Sequence, residues 1–129
     1  MCAYKPNKGR PALPAEEQVD LAVEVFRMLA DATRVKLLWV LLAGEAPVNQ
    51  LAEAVAKPQT AVSQHLAKLR MARLVSTRKQ ANQVFYRLTN DHVRQLISDA
   101  VYNAEHAGPG TPEHHQDTEV SARGVGVRQ

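Results

Sequence analysis

Four of the five histidines in this 129-residue chain lie between positions 92 and 115, where their imidazole rings could bind a metal ion. His92 and His106 are 14 positions apart. In a helix, this spacing puts them within about 40° of each other on one face, but about 21 Å apart along the axis. Ligands of one ion lie within about 2.2 Å of it, so one helix cannot bring both to the same ion. Two antiparallel copies can, and the spacing therefore predicts a metal site between two subunits.

The segment from Lys57 to Leu74 has the composition of a DNA-reading helix. Its apolar residues recur at helical spacing, and the other positions carry short hydrogen-bonding side chains followed by cations. Gln, Ser and Thr read base edges in the major groove, whereas Lys and Arg bind phosphates. The alternative is an ordinary solvated face. The candidate DNA contacts on this helix are Gln59, Thr60, Ser63, Gln64, Lys68 and Arg70.

Basic residues are concentrated around this helix. Residues 54–90 carry seven basic side chains and no acidic one, whereas residues 16–53 carry three basic and seven acidic side chains. A long stretch without a carboxylate is expected where a protein surface binds a polyanion. The alternatives are chance clustering and a winged helix that binds only protein, and a steep salt dependence of DNA affinity would distinguish DNA binding from both.

Length and composition indicate one small domain with two tails. We expect residues 1–15 to form a flexible basic arm, residues 16–106 the folded domain and residues 107–129 a flexible tail. A core of this size would benefit from dimerisation. No apolar run is long enough to span a membrane, and the start of the chain lacks the apolar centre of a signal peptide. With Cys2 as its single cysteine, the chain is expected to be cytoplasmic and to lack internal disulfides.

Helical periodicity predicts four helices in the first part of the chain, over residues 16–30, 32–42, 48–55 and 58–72. Asp31 is the expected cap of the second helix, and Gly44 is expected to end it. The third and fourth helices are separated by only a few residues, as in a helix-turn-helix. In the second helix, the residues predicted to point inward are Val35, Leu38, Trp39 and Leu42.

The periodicity then changes to that of strands. Residues 74–78 and 84–88 are β-prone runs, joined by residues 79–83, and they predict a hairpin with Arg78 and Lys79 at or near its tip. Asn82 is the expected positive-φ residue of the turn. A basic hairpin after a helix-turn-helix is expected to be a wing, placed to contact phosphates or the minor groove of DNA. A last helix, residues 91–106, is capped by Thr89 or Asn90 and has a continuous apolar stripe.

The order of these elements resembles the ArsR/SmtB family of metal-responsive repressors. The resemblance rests on residues 26–34 (FRMLADATR) and 62–69 (VSQHLAKL) and extends over residues 16–106. The end of the last helix and its tail look like the nickel/cobalt sensors of the KmtR type. The resemblance implies a winged helix-turn-helix homodimer, joined through its first and last helices, that binds a pseudo-palindromic operator in double-stranded DNA with half-sites about one turn apart.

Several residues depart from the family pattern. Asn90 and Asn103 stand where many members have metal ligands, Arg73 stands where glycine often follows the fourth helix, and Gln80-Ala81-Asn82 replaces the usual glycine-containing wing turn. His65, inside the second motif, is interpreted as a structural or phosphate-side residue. The resemblance to KmtR-type sensors implies a ligand set drawn from His92, Glu105, His106, His114 and His115.

Imidazole and carboxylate ligands suit Ni(II), Co(II) or Zn(II) and argue against Cu(I), Cd(II) or arsenite. The expected function is therefore repression by a metal-free homodimer that Ni(II) or Co(II) releases from its operator, which would derepress metal-efflux genes. The alternative is a repressor of the same fold that responds to Zn(II), to a non-metal signal or to no signal. A metal-dependent enzyme is not expected, because the histidines lie on a helix end and a tail, with no nucleophile motif.

Overall fold

A computed structural model describes residues 12–107 of the chain. The predicted architecture, mainly helical with a β-hairpin wing, is confirmed. Predictions that concern Cys2, His114 and His115, and most of the arm and the tail, lie outside the described residues. In chain order the elements are α1 (Glu16–Leu29), α2 (Ala32–Val40), a 3-10 turn (Leu41–Ala43), β1 (Ala46–Pro47), α3 (Val48–Val55), α4 (Gln59–Met71), β2 (Val75–Gln80), β3 (Gln83–Leu88) and α5 (Asp91–Ala107).

The predicted helix boundaries agree with the structure because local signals set them. The carboxylate of Asp31 accepts the backbone N–H of Arg34 at 2.9 Å and caps α2. Gly44 ends the 3-10 turn with a φ of 142°, a value that side chains disfavour. Asn90, one of the two candidate caps of α5, accepts the N–H of Val93 at 3.1 Å.

The core lies between α2, α3, α4, the sheet and the first half of α5. The prediction for α2 is correct for Leu38, which is fully buried, but wrong for Trp39, which is 38% exposed. Trp39 sits at the edge of the core, where its ring meets Tyr102 of α5 edge to face at 6.0 Å. Leu37 and Leu41 are buried instead, because α2 packs against several elements and not along one stripe.

The sheet has three antiparallel strands in the order β1-β3-β2. Strand β1 was not predicted, because two residues are too few to show a period. It pairs Ala46 with Tyr86 and Pro47 with Phe85, so it supports β3 only at its centre. The wing therefore projects beyond this support as a two-stranded hairpin.

The hairpin strands are longer, and the turn shorter, than predicted. Gln80 pairs with Gln83, which leaves Ala81 and Asn82 as a two-residue turn. The prediction for Asn82 was wrong, since Ala81 takes the positive φ, at 56°. A two-residue turn with positive φ at its first central residue has the pattern of type II′, whereas the prediction assumed a five-residue loop.

Candidate nucleic-acid interface and metal ligands

Helices α3 and α4 form the helix-turn-helix, and the end of α3 fixes the turn between them. Ala56 adopts the left-handed conformation, with φ 57° and ψ 48°. The N–H groups of Ala56 and Lys57 return to the carbonyls of Glu53 and Ala52 at 3.2 and 3.1 Å. These are the two hydrogen bonds of a Schellman motif, which reverses the chain within two residues. The turn leads directly to Pro58, the residue before α4.

The same motif ends α4. Arg73 has a φ of 63°, and the N–H groups of Arg73 and Leu74 return to the carbonyls of Arg70 and Leu69 at 2.9 Å each. Leu69 and Leu74 are both buried, which supplies the apolar contact that accompanies this cap. Arg73 thus takes the conformation for which glycine is preferred, at the position where the resemblance led us to expect glycine.

One face of α4 is buried and the opposite face is exposed. Val62, Leu66 and Leu69 are completely buried, so they fix the rotation of the helix. Opposite them, Thr60 and Gln64 continue along the helix to Ala67 and Met71, and Met71 is 85% exposed. The sequence predicted the polar residues of this exposed stripe but gave no role to its apolar residues, Ala67 and Met71. All six predicted contacts on this helix are exposed: Gln59, Thr60, Ser63, Gln64, Lys68 and Arg70.

The two predicted wing cations have different environments. Lys79 is exposed in β2 near the turn. Arg78, predicted at or near the tip, lies two residues before the end of β2, where the longer strands pair it with Phe85. Its guanidinium instead donates to both carboxylate oxygens of Glu45, at 3.0 and 2.9 Å. No sequence signal pointed to this pair, whose members are 33 residues apart.

A hydrogen-bonded group joins α4 to the junction of α1 and α2. Arg34 donates its Nε to the carbonyl of Met28 at 2.7 Å and its Nη1 to Nδ1 of His65 at 3.3 Å. The carboxylate of Asp31 lies 3.9 Å from the same ring nitrogen. The Arg34 N–H bond holds the pKa of Asp31 below its usual value, with a smaller contribution from the charge of Arg34. His65 is accordingly a half-buried structural contact between helices.

The candidate metal ligands within the described residues lie at opposite ends of α5. His92 is exposed in the first turn, Glu105 is half-buried near the end, and His106 is exposed in the last turn. Between residues 12 and 107 of one chain, no three His, Cys, Asp or Glu side chains are grouped as metal ligands would be. Asn90, at a position where many members have a ligand, serves here as the cap of α5. A site on these residues requires a second chain or the tail.

Comparison with known proteins decides the family. The profile described as "Bacterial regulatory protein, arsR family" matches residues 31–77, from the cap of α2 into β2. The HTH-type transcriptional regulator KmtR of Mycobacterium tuberculosis is 64% identical over 110 residues, which are 85% of this chain and 84% of KmtR. The chain belongs to the ArsR family. It is a DNA-binding transcriptional regulator and not an enzyme.

Two further comparisons are consistent with this result. NmtR of the same bacterium is 35% identical over 84% of this chain and 92% of NmtR. A homodimeric winged helix-turn-helix DNA-binding domain from Mycobacterium bovis superposes with a TM-score of 0.66, covering 83% of this chain and 95% of that domain. At 24% identity, it supports the fold alone. None of the helices in the described part of the ArsR-family chain is long and apolar enough to cross a membrane.

Proposed function

We propose that this ArsR-family chain is a repressor that holds operator DNA as a metal-free homodimer and releases it when Ni(II) or Co(II) binds between the C-terminal helices. The observation that carries the metal part is the placement of His92 and His106 at the two ends of one continuous helix. About 21 Å of helix separates them, so a shared ion needs two chains. The similarity to KmtR is consistent with this class of sensor.

The proposed DNA-binding surface is the exposed face of α4 together with the wing. Thr60, Ser63 and Gln64 present hydroxyl and amide groups suited to base edges in the first turns of the helix, next to Gln59. Lys68, Arg70 and Lys79 are exposed cations suited to phosphates. The surface has no acidic residue within residues 54–90, which favours duplex DNA as its partner.

The proposed dimer interface includes α1. This helix has no buried residue in the protomer, although it is amphipathic. Val19, Val23 and Phe26, spaced like neighbours on one helical face, are 38%, 39% and 60% exposed. Val25, Met28 and Leu29, which pack against the core of the same chain, lie on other sides of the helix, with Met28 opposite the stripe. A second copy that covers this stripe would give a symmetric dimer with two recognition helices, which suits a pseudo-palindromic operator.

In that dimer, His92 of one chain and His106 of the other are the proposed shared ligands, with Glu105, His114 and His115 completing the set. A donor set of imidazole and carboxylate without thiolate suits Ni(II) and Co(II), and extra ligands from the tail favour a coordination number above four. A coupling of about 1–3 kcal/mol at each of two sites would lower operator affinity enough for release.

The test is a mobility-shift assay on the DNA upstream of the gene, with and without Ni(II), Co(II) and Zn(II). We expect the metal-free protein to bind and Ni(II) or Co(II) to weaken binding by at least about tenfold. Unchanged affinity at saturating metal would refute the sensor assignment. Release by Zn(II) alone would instead identify a zinc sensor.

Substitutions test whether the site is shared. His92→Ala and His106→Ala should each keep DNA binding and lose the metal response, whereas Asn103→Ala, an exposed control on α5, should keep both. In a mixed dimer of His92→Ala and His106→Ala chains, a shared arrangement leaves one of the two sites complete. Metal binding should therefore return in the mixed dimer, and its absence would exclude the intersubunit site.

A further inference from the structure

Glu45 and Arg78 link the two sides of the sheet at the base of the wing. Glu45 directly precedes β1, and Arg78 lies in β2, while β3 runs between these strands. The guanidinium meets the carboxylate through two nearly parallel hydrogen bonds, Nε to Oε1 at 3.0 Å and Nη2 to Oε2 at 2.9 Å. Paired bonds of this kind fix orientation as well as distance, unlike most ion pairs at a protein surface.

The remaining groups around Arg78 hold its side chain in one place. Its Nη1 donates to the side-chain oxygen of Gln80 at 2.6 Å. Its guanidinium carbon lies 4.9 Å from the ring centroid of Phe85, the cross-strand partner of Arg78. All three guanidinium nitrogens are thus engaged within the protein, and one face of the group is covered by an aromatic ring.

The position of this contact matters because the sheet support ends there. Phe85 pairs with Arg78 on one side and with Pro47 on the other, in the last row that contains all three strands. Residues 79–84, beyond that row, pair only with each other or form the turn. A two-stranded ribbon twists and bends readily, so a contact at its base determines where its tip lies.

The pair also changes the charge of the wing. Glu45 lies outside the acid-free stretch of residues 54–90 in the sequence, but the fold places its negative charge next to Arg78 of this stretch. Hydrogen bonds from Arg78 lower the pKa of Glu45, and the charges of Arg78 and Arg87 lower it further. Glu45 is therefore ionised at neutral pH and neutralises Arg78, which leaves Lys79 as the exposed cation at the outer end of β2.

We infer that Glu45 and Arg78 are positioning residues that hold the wing against the duplex, and that Arg78 is not itself a phosphate contact. This inference rests on the proposed DNA binding and replaces the assignment of Arg78 to the DNA contacts. The phosphate contact of this strand is then Lys79.

The sign of one substitution separates this role from simple electrostatics. Removing a carboxylate beside a DNA-binding surface should strengthen binding if charge alone matters. We expect Glu45→Gln to weaken operator binding by about threefold to tenfold, because a wing that is no longer held in place must be ordered when it binds, while Lys79 still reaches its phosphate. Glu53→Gln, which removes an exposed acid from α3, is the matched control and should bind as tightly as the unaltered protein or more tightly. Tighter binding by Glu45→Gln would overturn the inference.

Salt dependence tests Arg78 directly. Each phosphate contact contributes about 0.9 to the slope of log affinity against log salt concentration. Arg78→Gln and Arg78→Lys should both weaken binding, because neither side chain has the two-pronged geometry of arginine. The slope should stay unchanged in both, because Lys79 still contacts its phosphate. Lys79→Gln should lower the slope by about 0.9. A slope lowered by the same amount in Arg78→Gln would show that Arg78 contacts phosphate.

Hydrogen exchange gives a readout that does not depend on DNA. In free protein, Glu45→Gln should increase amide exchange in residues 75–88, whereas Glu53→Gln should leave this segment unchanged. Equal protection of the wing in both variants would overturn the inference, whatever the DNA results. If the unaltered protein binds no DNA but the exchange result is as expected, the proposed function fails and the structural role of the pair stands.

Discussion

At the scale of single residues, Arg34 and Asp31 connect the junction of α1 and α2 to α4. Arg34 bonds to the last turn of α1 and to His65 on α4, while Asp31 caps the helix that carries Arg34. A change in the packing of α1 at a dimer interface would therefore reach α4 through a short series of hydrogen bonds. The half-buried position of these groups makes their hydrogen bonds stronger than exposed ones.

Replacing Asp31 should show the value of this cap. We expect Asp31→Ala to lower the free energy of unfolding by about 1 kcal/mol at pH 7, since an N–H at the start of α2 loses its acceptor. Asp31→Asn should cost much less, because asparagine also caps helices. Urea unfolding at one fixed protein concentration measures both.

The pH dependence has a definite sign. The folded-state pKa of Asp31 lies below its ordinary value of 3.8, so the ionised carboxylate stabilises the fold above that pH. This stabilisation is lost as the pH falls through the lowered pKa. The stability difference between the unaltered protein and Asp31→Ala should therefore be smaller at about pH 3 than at pH 7. An equal difference at both pH values would contradict the assignment.

At the scale of elements, three junctions in the described part of the chain have a positive φ at a residue other than glycine. Ala56 ends α3, Arg73 ends α4 and Ala81 forms the wing turn, with φ values of 57°, 63° and 56°. Each costs conformational energy that glycine would not. The helix-turn-helix and the wing thus contain small strains at the points that set their geometry.

Glycine at Ala56 should relieve one of these strains. We expect Ala56→Gly to raise the free energy of unfolding by about 0.5–1 kcal/mol, because the gain in the left-handed region exceeds the greater freedom of glycine in the unfolded chain. Ala54→Gly, inside the same helix and exposed, should lower it by about 1 kcal/mol. Thermal unfolding of the two variants compares these effects, and destabilisation by both would argue against strain at Ala56.

At the scale of the whole molecule, one protomer leaves its first helix half-covered. The stripe of Val19, Val23 and Phe26 points away from the core of its own chain, and His92 and His106 on α5 are too far apart to serve one ion. The proposed second copy would account for both features. The proposals for dimerisation, DNA reading and metal response therefore all depend on the same dimer.

A charge in the α1 stripe should separate the subunits. We expect Phe26→Glu to shift the protein from dimer to monomer in sedimentation velocity at micromolar concentration, because an interface cannot bury an unpaired carboxylate cheaply. Operator affinity should fall by at least about tenfold, since two linked recognition helices bind more tightly than one. Val84→Glu, a similar change on the wing, should remain dimeric. Sedimentation of the unaltered protein as a monomer would refute the dimer.

Local patterns accounted for the helices and for the exposed face of α4, because helical phase and capping depend on residues three or four positions apart. They also placed Asp31, Asn90 and Gly44 at element ends. Local patterns predicted the wing less accurately. A strand of two residues has no period, and the shorter turn moves Arg78 from the end of the predicted strand to a position two residues inside β2.

The sequence by itself determined the order of the helices, the hairpin, the basic surface and the separation of His92 from His106, since each depends on neighbours along the chain. Only the tertiary structure decided that Trp39 lies at the edge of the core, that β1 supports the wing and that Glu45 pairs with Arg78. The physical reason is distance along the chain: partners 33 residues apart meet only after the elements between them have packed, and no local pattern records that meeting.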